Sequence, residues 1–175
     1  MNKLSTILLL TGALALSACN NPDRFGAGGA GGAGGAGGAG GIASGPLGDP
    51  NDPNSVAYFN QTIGDTVRFA VDQSTLTPEA QTVLGQQAGW LNQHPTYTAI
   101  IEGHADEQGT REYNIALGDR RANAVKAFLI SQGVAANRLQ TVSYGKERPL
   151  AVCSDEACYA QNRRAVTVVG AGAGV

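Results

Sequence analysis

The chain has 175 residues, with 12 Lys and Arg against 14 Asp and Glu, a formal net charge of −2. That length holds one ordinary domain with extensions. No block of like charge occurs, which argues against nucleic acid as a partner.

The first residues read as a processing signal and are set aside before any fold reasoning. Asn2 and Lys3 precede an apolar run from Leu8 to Leu16 that is too short to span a bilayer as a finished helix. The string LSAC at Leu16 to Cys19 matches the bacterial lipobox. That match implies removal of residues 1–18, a diacylglycerol thioether on the Cys19 sulfur and an acyl chain such as palmitate on its new amino group. Such a terminus is firmly anchored, because each buried methylene contributes about 0.8 kcal/mol. Asn20 is not the aspartate associated with retention in the inner membrane, so the expected destination is the periplasmic face of the cell outer membrane.

Residues 19–57 read as a lipidated terminus and linker. The segment GAGGAGGAGGAGGAGG at Gly26 to Gly41 has glycine at collagen spacing but no proline, so it reads as a flexible tether. Treated as a Gly-rich coil, the linker reaches roughly 35 Å on average and roughly 125 Å when taut. PLGDPNDPNS at Pro46 to Ser55 is turn-rich and ends it.

A single domain is expected over residues 58–169. Thr66 to Val71 is β-branched and aromatic and reads as a strand closed by Asp72. Thr77 then supplies an N-cap, Pro78 the first helical position and Glu79 an acid in the first turn. The helix they open carries Ala80, Val83, Leu84, Ala88 and Leu91 at helical spacing and stops at His94-Pro95. Thr96 to Glu102 is the second strand, and Gly103 to Thr110 the loop into a second helix that ends near Gln132 before Gly133. Leu139 to Tyr144 is a third strand closed by Gly145. Pro149 to Gln161 is a loop with about one helical turn, Ala165 to Val169 the last strand, and residues 170–175 a frayed end. The order βαβαβ plus a final strand implies an α/β fold with two main helices on one face of a small mixed sheet.

The second helix carries an anomaly. At 100° per residue Asn114, Leu117, Arg121, Val125 and Phe128 share one narrow arc, and the apolar members mark it as the core-facing one. Arg121 is therefore expected inside, where a guanidinium needs an anionic partner. Asp106, on the loop before the helix, is the nearest candidate in sequence.

Three segments then point to a family. EGHADEQGTREYNIALGDRRANAVKAFL from Glu102, VSYGKERP at Val142 to Pro149 and NRRAV at Asn162 to Val166 resemble the OmpA-like peptidoglycan-binding domain, whose fold is an α/β sandwich with a mixed sheet. With the lipobox and tether, the chain looks like the lipoprotein branch of that family. The resemblance implies binding without catalysis, metal or cofactor, to the peptidoglycan stem peptide at its meso-diaminopimelate residue. It also implies docking to periplasmic proteins of the Tol system, and a role in envelope integrity and constriction at cell division. Carried over by motif, the peptidoglycan-binding residues are Asp72, Asp106, Leu117 and Arg121, with Asn114 on the same arc and His104 as a pocket contact or loop-orienting donor. The family's common F-D-F-D is here Phe69-Ala70-Val71-Asp72, which changes one wall of the expected pocket.

Chemistry fits that expectation. Diaminopimelate ends in an ammonium and a carboxylate on one carbon. Arg121 is suited to grip the carboxylate in a bidentate way, and Asp106 to hold both that guanidinium and the ammonium. A metal at His104, Asp106 and Glu107 is not expected, because the domain's other histidine, His94, ends a different helix. Glu102 and Asp106 do not read as an acid pair, since no nucleophile is placed with them. Arg163 and Arg164 read as anchors of the last strand. Cys153 and Cys158 form an even pair in an oxidising compartment, which predicts a disulfide worth roughly 2 kcal/mol, with two buried thiols as the alternative. An enzyme acting on the wall would need a metal triad or an activated nucleophile, and neither can be assembled from these residues. A lipoprotein that binds only proteins is the remaining alternative.

Overall fold

The structure, a computed structural model, describes residues 47–171. Expectations for residues 1–18, for Cys19, for the tether up to residue 46 and for residues 172–175 lie outside the described residues.

The long helices begin where a side chain can satisfy a free backbone donor. Thr77 accepts from the Ala80 amide and Pro78 takes the first position of α2, Pro78–Gln93. Thr110 accepts from the Tyr113 amide and opens α3, Arg111–Ser131. Gly133, at φ 94°, takes the left-handed position that follows its end.

Four strands form one sheet in the order β1-β4-β2-β3, with β1 at Thr66–Arg68, β2 at Tyr97–His104, β3 at Leu139–Gly145 and β4 at Arg164–Ala171. Strands β2 and β3 are parallel, joined through α3, while β4 runs antiparallel to both β1 and β2. Alternation along the strands sends Ala99, Ile101, Leu139, Ala165 and Val169 into the core with Leu84, Leu91, Val125 and Leu129 of the helices. The opposite face, with Ile100, Glu102, Val142 and Val168, stays partly open. Helix α3 seats on β2 at two glycines: a Cβ on Gly103 would run into the Gly118 carbonyl, so no larger residue permits that approach. This is the expected α/β class, with the expected helices.

Several boundaries differ from expectation, and β2 runs to His104 rather than ending at Glu102, so Gly103 and His104 belong to the strand instead of the loop. The first strand stops at Arg68 rather than Val71, because Arg121 draws the carbonyls of Ala70 and Gln73 inward and Asp72 turns the chain at φ 56°. Two helical turns, not one, form α4 at Glu156–Asn162, where Asp155 caps the Cys158 amide. Residues 47–57 are not all linker: the Ala57 amide donates to the Leu47 carbonyl at 2.7 Å, and Ser55 caps α1, Val56–Tyr58. That helix continues as a π-helical segment, Phe59–Gly64, which carries Phe59 into the core. Gly170 and Ala171 belong to β4 instead of a frayed end. Among the described residues no helix is long and apolar enough to cross a membrane.

Candidate functional site

At the C-terminal end of β2 the chain enters the loop Ala105–Thr110, and the head of α3 returns beside it. Together with the turn after β1 they enclose a cavity of about 210 Å³. Its walls include Asp72, Asp106, Tyr113, Asn114 and Leu117, with Val71, Gln108 and Gly109 completing it. Four of the six expected binding residues thus meet around one space.

The polar groups of this cavity are mostly acceptors. Asn114 is 1% exposed, and its Nδ2 donates to the Gln108 carbonyl at 2.8 Å while its Oδ1 has no partner. Asp106 is 7% exposed; its Oδ1 accepts from the Gln108 amide at 3.3 Å. Asp72 accepts from the Tyr113 hydroxyl, a hydrogen bond that is the main cause raising the phenol's pKa and keeps it a donor. No ammonium or guanidinium lines the cavity. Two carboxylates and an orphaned carbonyl oxygen are complementary to a small ammonium.

Arg121 does not enter the cavity wall. It is fully buried, as its arc predicts, but its partners are three carbonyls: Nε donates to Gln73 at 2.8 Å, Nη1 to His104 at 2.7 Å and Nη2 to Ala70 at 3.2 Å. Its guanidinium lies 5.2 Å from the Phe69 ring centre. Burial lowers its pKa to about 10, with the field of Asp106 acting in the opposite direction, so it stays charged at neutral pH. The expected contact with a carboxylate is thus replaced by carbonyl dipoles, and the side chain ties the turn after β1 to the end of β2.

The guanidinium that meets Asp106 belongs to Arg163. Its Nη1 lies 3.1 Å from Asp106 Oδ2, and its Nη2 pairs with Glu156 at the start of α4. Burial works against the charge of Arg163, but the hydrogen bonds it donates to Glu156 and Asp106 outweigh it and push its pKa up. Arg163 anchors the last strand as expected, through reciprocal bonds with the Phe69 backbone, and it also fixes the acid of the cavity.

His104 contributes its carbonyl to Arg121, but its ring points elsewhere. The ring is 2% exposed, lies 5.5 Å from that of Tyr144, and is absent from the cavity lining. Neither nitrogen has a hydrogen-bond partner. Burial, followed by the fields of Arg164 and Arg148, lowers its pKa to about 4. Glu102, 3.6 Å away on the same side, favours the charged ring but is outweighed. Glu102 is therefore not paired with Asp106 across the cavity.

Cys153 and Cys158 are joined by a disulfide, with Cα atoms 5.8 Å apart. With Asp155 they form the one group among the described residues whose donor atoms bunch within 4.8 Å, but sulfurs bonded to each other are not thiolate ligands. The bridged loop braces the cavity loop from outside, where Ser154 and Tyr159 both donate to Glu107. Tyr113, Gln108 and Arg163 were not among the expected site residues. Only Tyr113 had a local signal, since it lies one residue before Asn114 at the head of the same helix.

Residues 68–164 match the OmpA family. A peptidoglycan-associated lipoprotein of Mesorhizobium japonicum is 59% identical over 115 residues, covering 65% of this chain and 68% of that one. One from Haemophilus influenzae is 42% identical over 167 residues, covering 95% of this chain and 98% of the other. The crystal structure of the peptidoglycan-associated lipoprotein from Burkholderia pseudomallei superposes with a TM-score of 0.61 at 42% identity, over 69% of this chain and 98% of that one.

Proposed function

The chain belongs to the OmpA family, among its peptidoglycan-associated lipoproteins, and from that premise we propose that it binds the cell wall without chemically altering it. The ligand we assign is the diaminopimelate tip of the stem peptide, bound non-covalently in the cavity between the Asp106 loop and α3. One observation carries this choice: Asn114 Oδ1 is a buried acceptor without a donor, beside the Asp106 and Asp72 carboxylates. An ammonium is the group complementary to all three, and a buried acceptor left unpaired costs about 1 to 3 kcal/mol. The positive end of α3 lies at the same mouth and favours the neighbouring carboxylate, with Arg121 adding its charge from beneath.

Lipid attachment at Cys19 would hold the chain on the periplasmic face of the outer membrane, and the tether would let the domain reach the wall. Docking to periplasmic Tol proteins during constriction at division belongs to the same proposal and is supported by family resemblance.

Pelleting of the full chain with purified sacculi tests the assignment. Asp106→Ala and Asn114→Ala should each weaken capture about tenfold, equivalent to 1.4 kcal/mol. Unchanged pelleting by both variants would refute the site, and release of soluble wall fragments would turn the reading toward an enzyme.

A further inference from the structure

A second concave surface lies away from the acidic cavity, between the N-terminal segment and the C-terminal half of α2. It is a groove of about 500 Å³, lined by the polar side chains of Asn54, Thr62, Gln86 and Gln93 and by the aromatic rings of Tyr58 and Trp90. We propose that this groove is a binding site for a neutral N-acetylated saccharide strand.

The lining chemistry selects the ligand class. No carboxylate, ammonium or guanidinium borders the groove, and its one imidazole, that of His94, has both nitrogens already facing the Trp90 carbonyl and Asn54 Oδ1. Side-chain amides both donate and accept, which matches hydroxyl and acetamido groups, and the half-buried Tyr58 ring suits the C–H face of a sugar, while Trp90, buried and stacked on His94, braces the floor. Residues 86, 89, 90 and 93 fall at i, i+3, i+4 and i+7, so a single stripe of α2 supplies one wall. Within that stripe Gly89 leaves the space open: a Cβ there would meet no atom within 4 Å.

The groove is also held in shape before any ligand arrives. Trp90 Nε1 donates to the Pro53 carbonyl at 2.7 Å, and His94 Nε2 lies 3.0 Å from Asn54 Oδ1. Gln87 Nε2 donates to the Gly64 carbonyl at 2.7 Å and pins the end of the π-helical segment. That rare helical form, which lends Thr62 and Ile63 to the opposite wall, is frequent at functional sites. Fixed walls reduce the entropy lost on binding. The choice of acetamido sugars, as the glycan half of the wall polymer, rests on the function proposed above; the amide-lined groove itself does not.

Titration of the full chain with the β-1,4-linked tetramer of N-acetylglucosamine tests this, with Trp90, the chain's one tryptophan, as fluorescent reporter. The wild type should show a saturable change. Gln93→Ala should weaken the apparent affinity about tenfold through lost hydrogen bonds. Gly89→Leu, which fills the open space and replaces a poor helix former, should abolish the response while melting no earlier than the wild type. Asn114→Ala should keep the saccharide response while losing stem-peptide capture, so failure at one site is distinguishable from failure at the other. No saturable change in the wild type, or an undiminished response in a folded Gly89→Leu variant, would overturn the proposal.

Discussion

Arg163 reaches back 57 residues to place its Nη1 3.1 Å from Asp106 Oδ2, with both side chains almost wholly buried. Removing one partner leaves the other charge buried and uncompensated. Arg163→Met should therefore cost on the order of 3 kcal/mol in urea unfolding. The double variant Asp106→Asn/Arg163→Met should cost less than the sum of the two single changes. Strict additivity would show that the pair is not coupled.

Arg121 satisfies three carbonyls with three different nitrogens, a geometry that an ammonium on a flexible stem cannot reproduce. Arg121→Lys keeps the charge but should lower stability by on the order of 3 kcal/mol, because buried carbonyls lose their donors. Thermal melting measures this directly. Weaker wall capture by this variant should follow its loss of folded protein, rather than appear in a fully folded population.

The imidazole of His104 has a folded-state pKa of about 4, below its ordinary 6.5, because it is buried among guanidinium fields. The unfolded chain therefore binds the proton more readily. Stability is fully present above pH 6.5 and falls as the pH drops toward 4. Between pH 7.5 and pH 5 the wild type should lose on the order of 2 kcal/mol through this residue. His104→Leu, with no ring to protonate and no hydrogen bond to break, should show a flatter profile over that range in denaturant titrations at each pH.

The bridge between Cys153 and Cys158 closes a short loop at the head of α4. Alkylation of the denatured, unreduced chain followed by mass spectrometry should leave both residues unlabelled. Cys153→Ser with Cys158→Ser should lower stability by about 2 kcal/mol. The same change should loosen the Ser154 and Tyr159 contacts to Glu107, read as faster amide exchange in the loop after β2.

Sequence by itself determined the parts of this protein that depend on near neighbours. The caps at Thr77 and Thr110, the glycine after α3 and the core-facing arc through Leu117, Arg121 and Val125 follow from helical spacing and from backbone groups within a few residues. Asp106, Asn114 and Leu117 were legible together because they lie on a loop and a helix that follow one another in the chain, whereas Asp72, beyond α2 and β2, was expected only from the family resemblance. What met each buried charge was decided only by tertiary structure. Arg163 and Asp106 belong to segments that come together only when β4 lies between β1 and β2, and the carbonyls around Arg121 are presented by a turn that no periodicity specifies. His104 turned away from the cavity because β2 runs on through it, and the alternation that sends Ile101 and Gly103 toward the helices sends the His104 ring to the face of Glu102, beside Tyr144. Local rules set which groups must be buried, whereas partners are chosen by whichever distant backbone or side chain the sheet order brings within hydrogen-bonding reach.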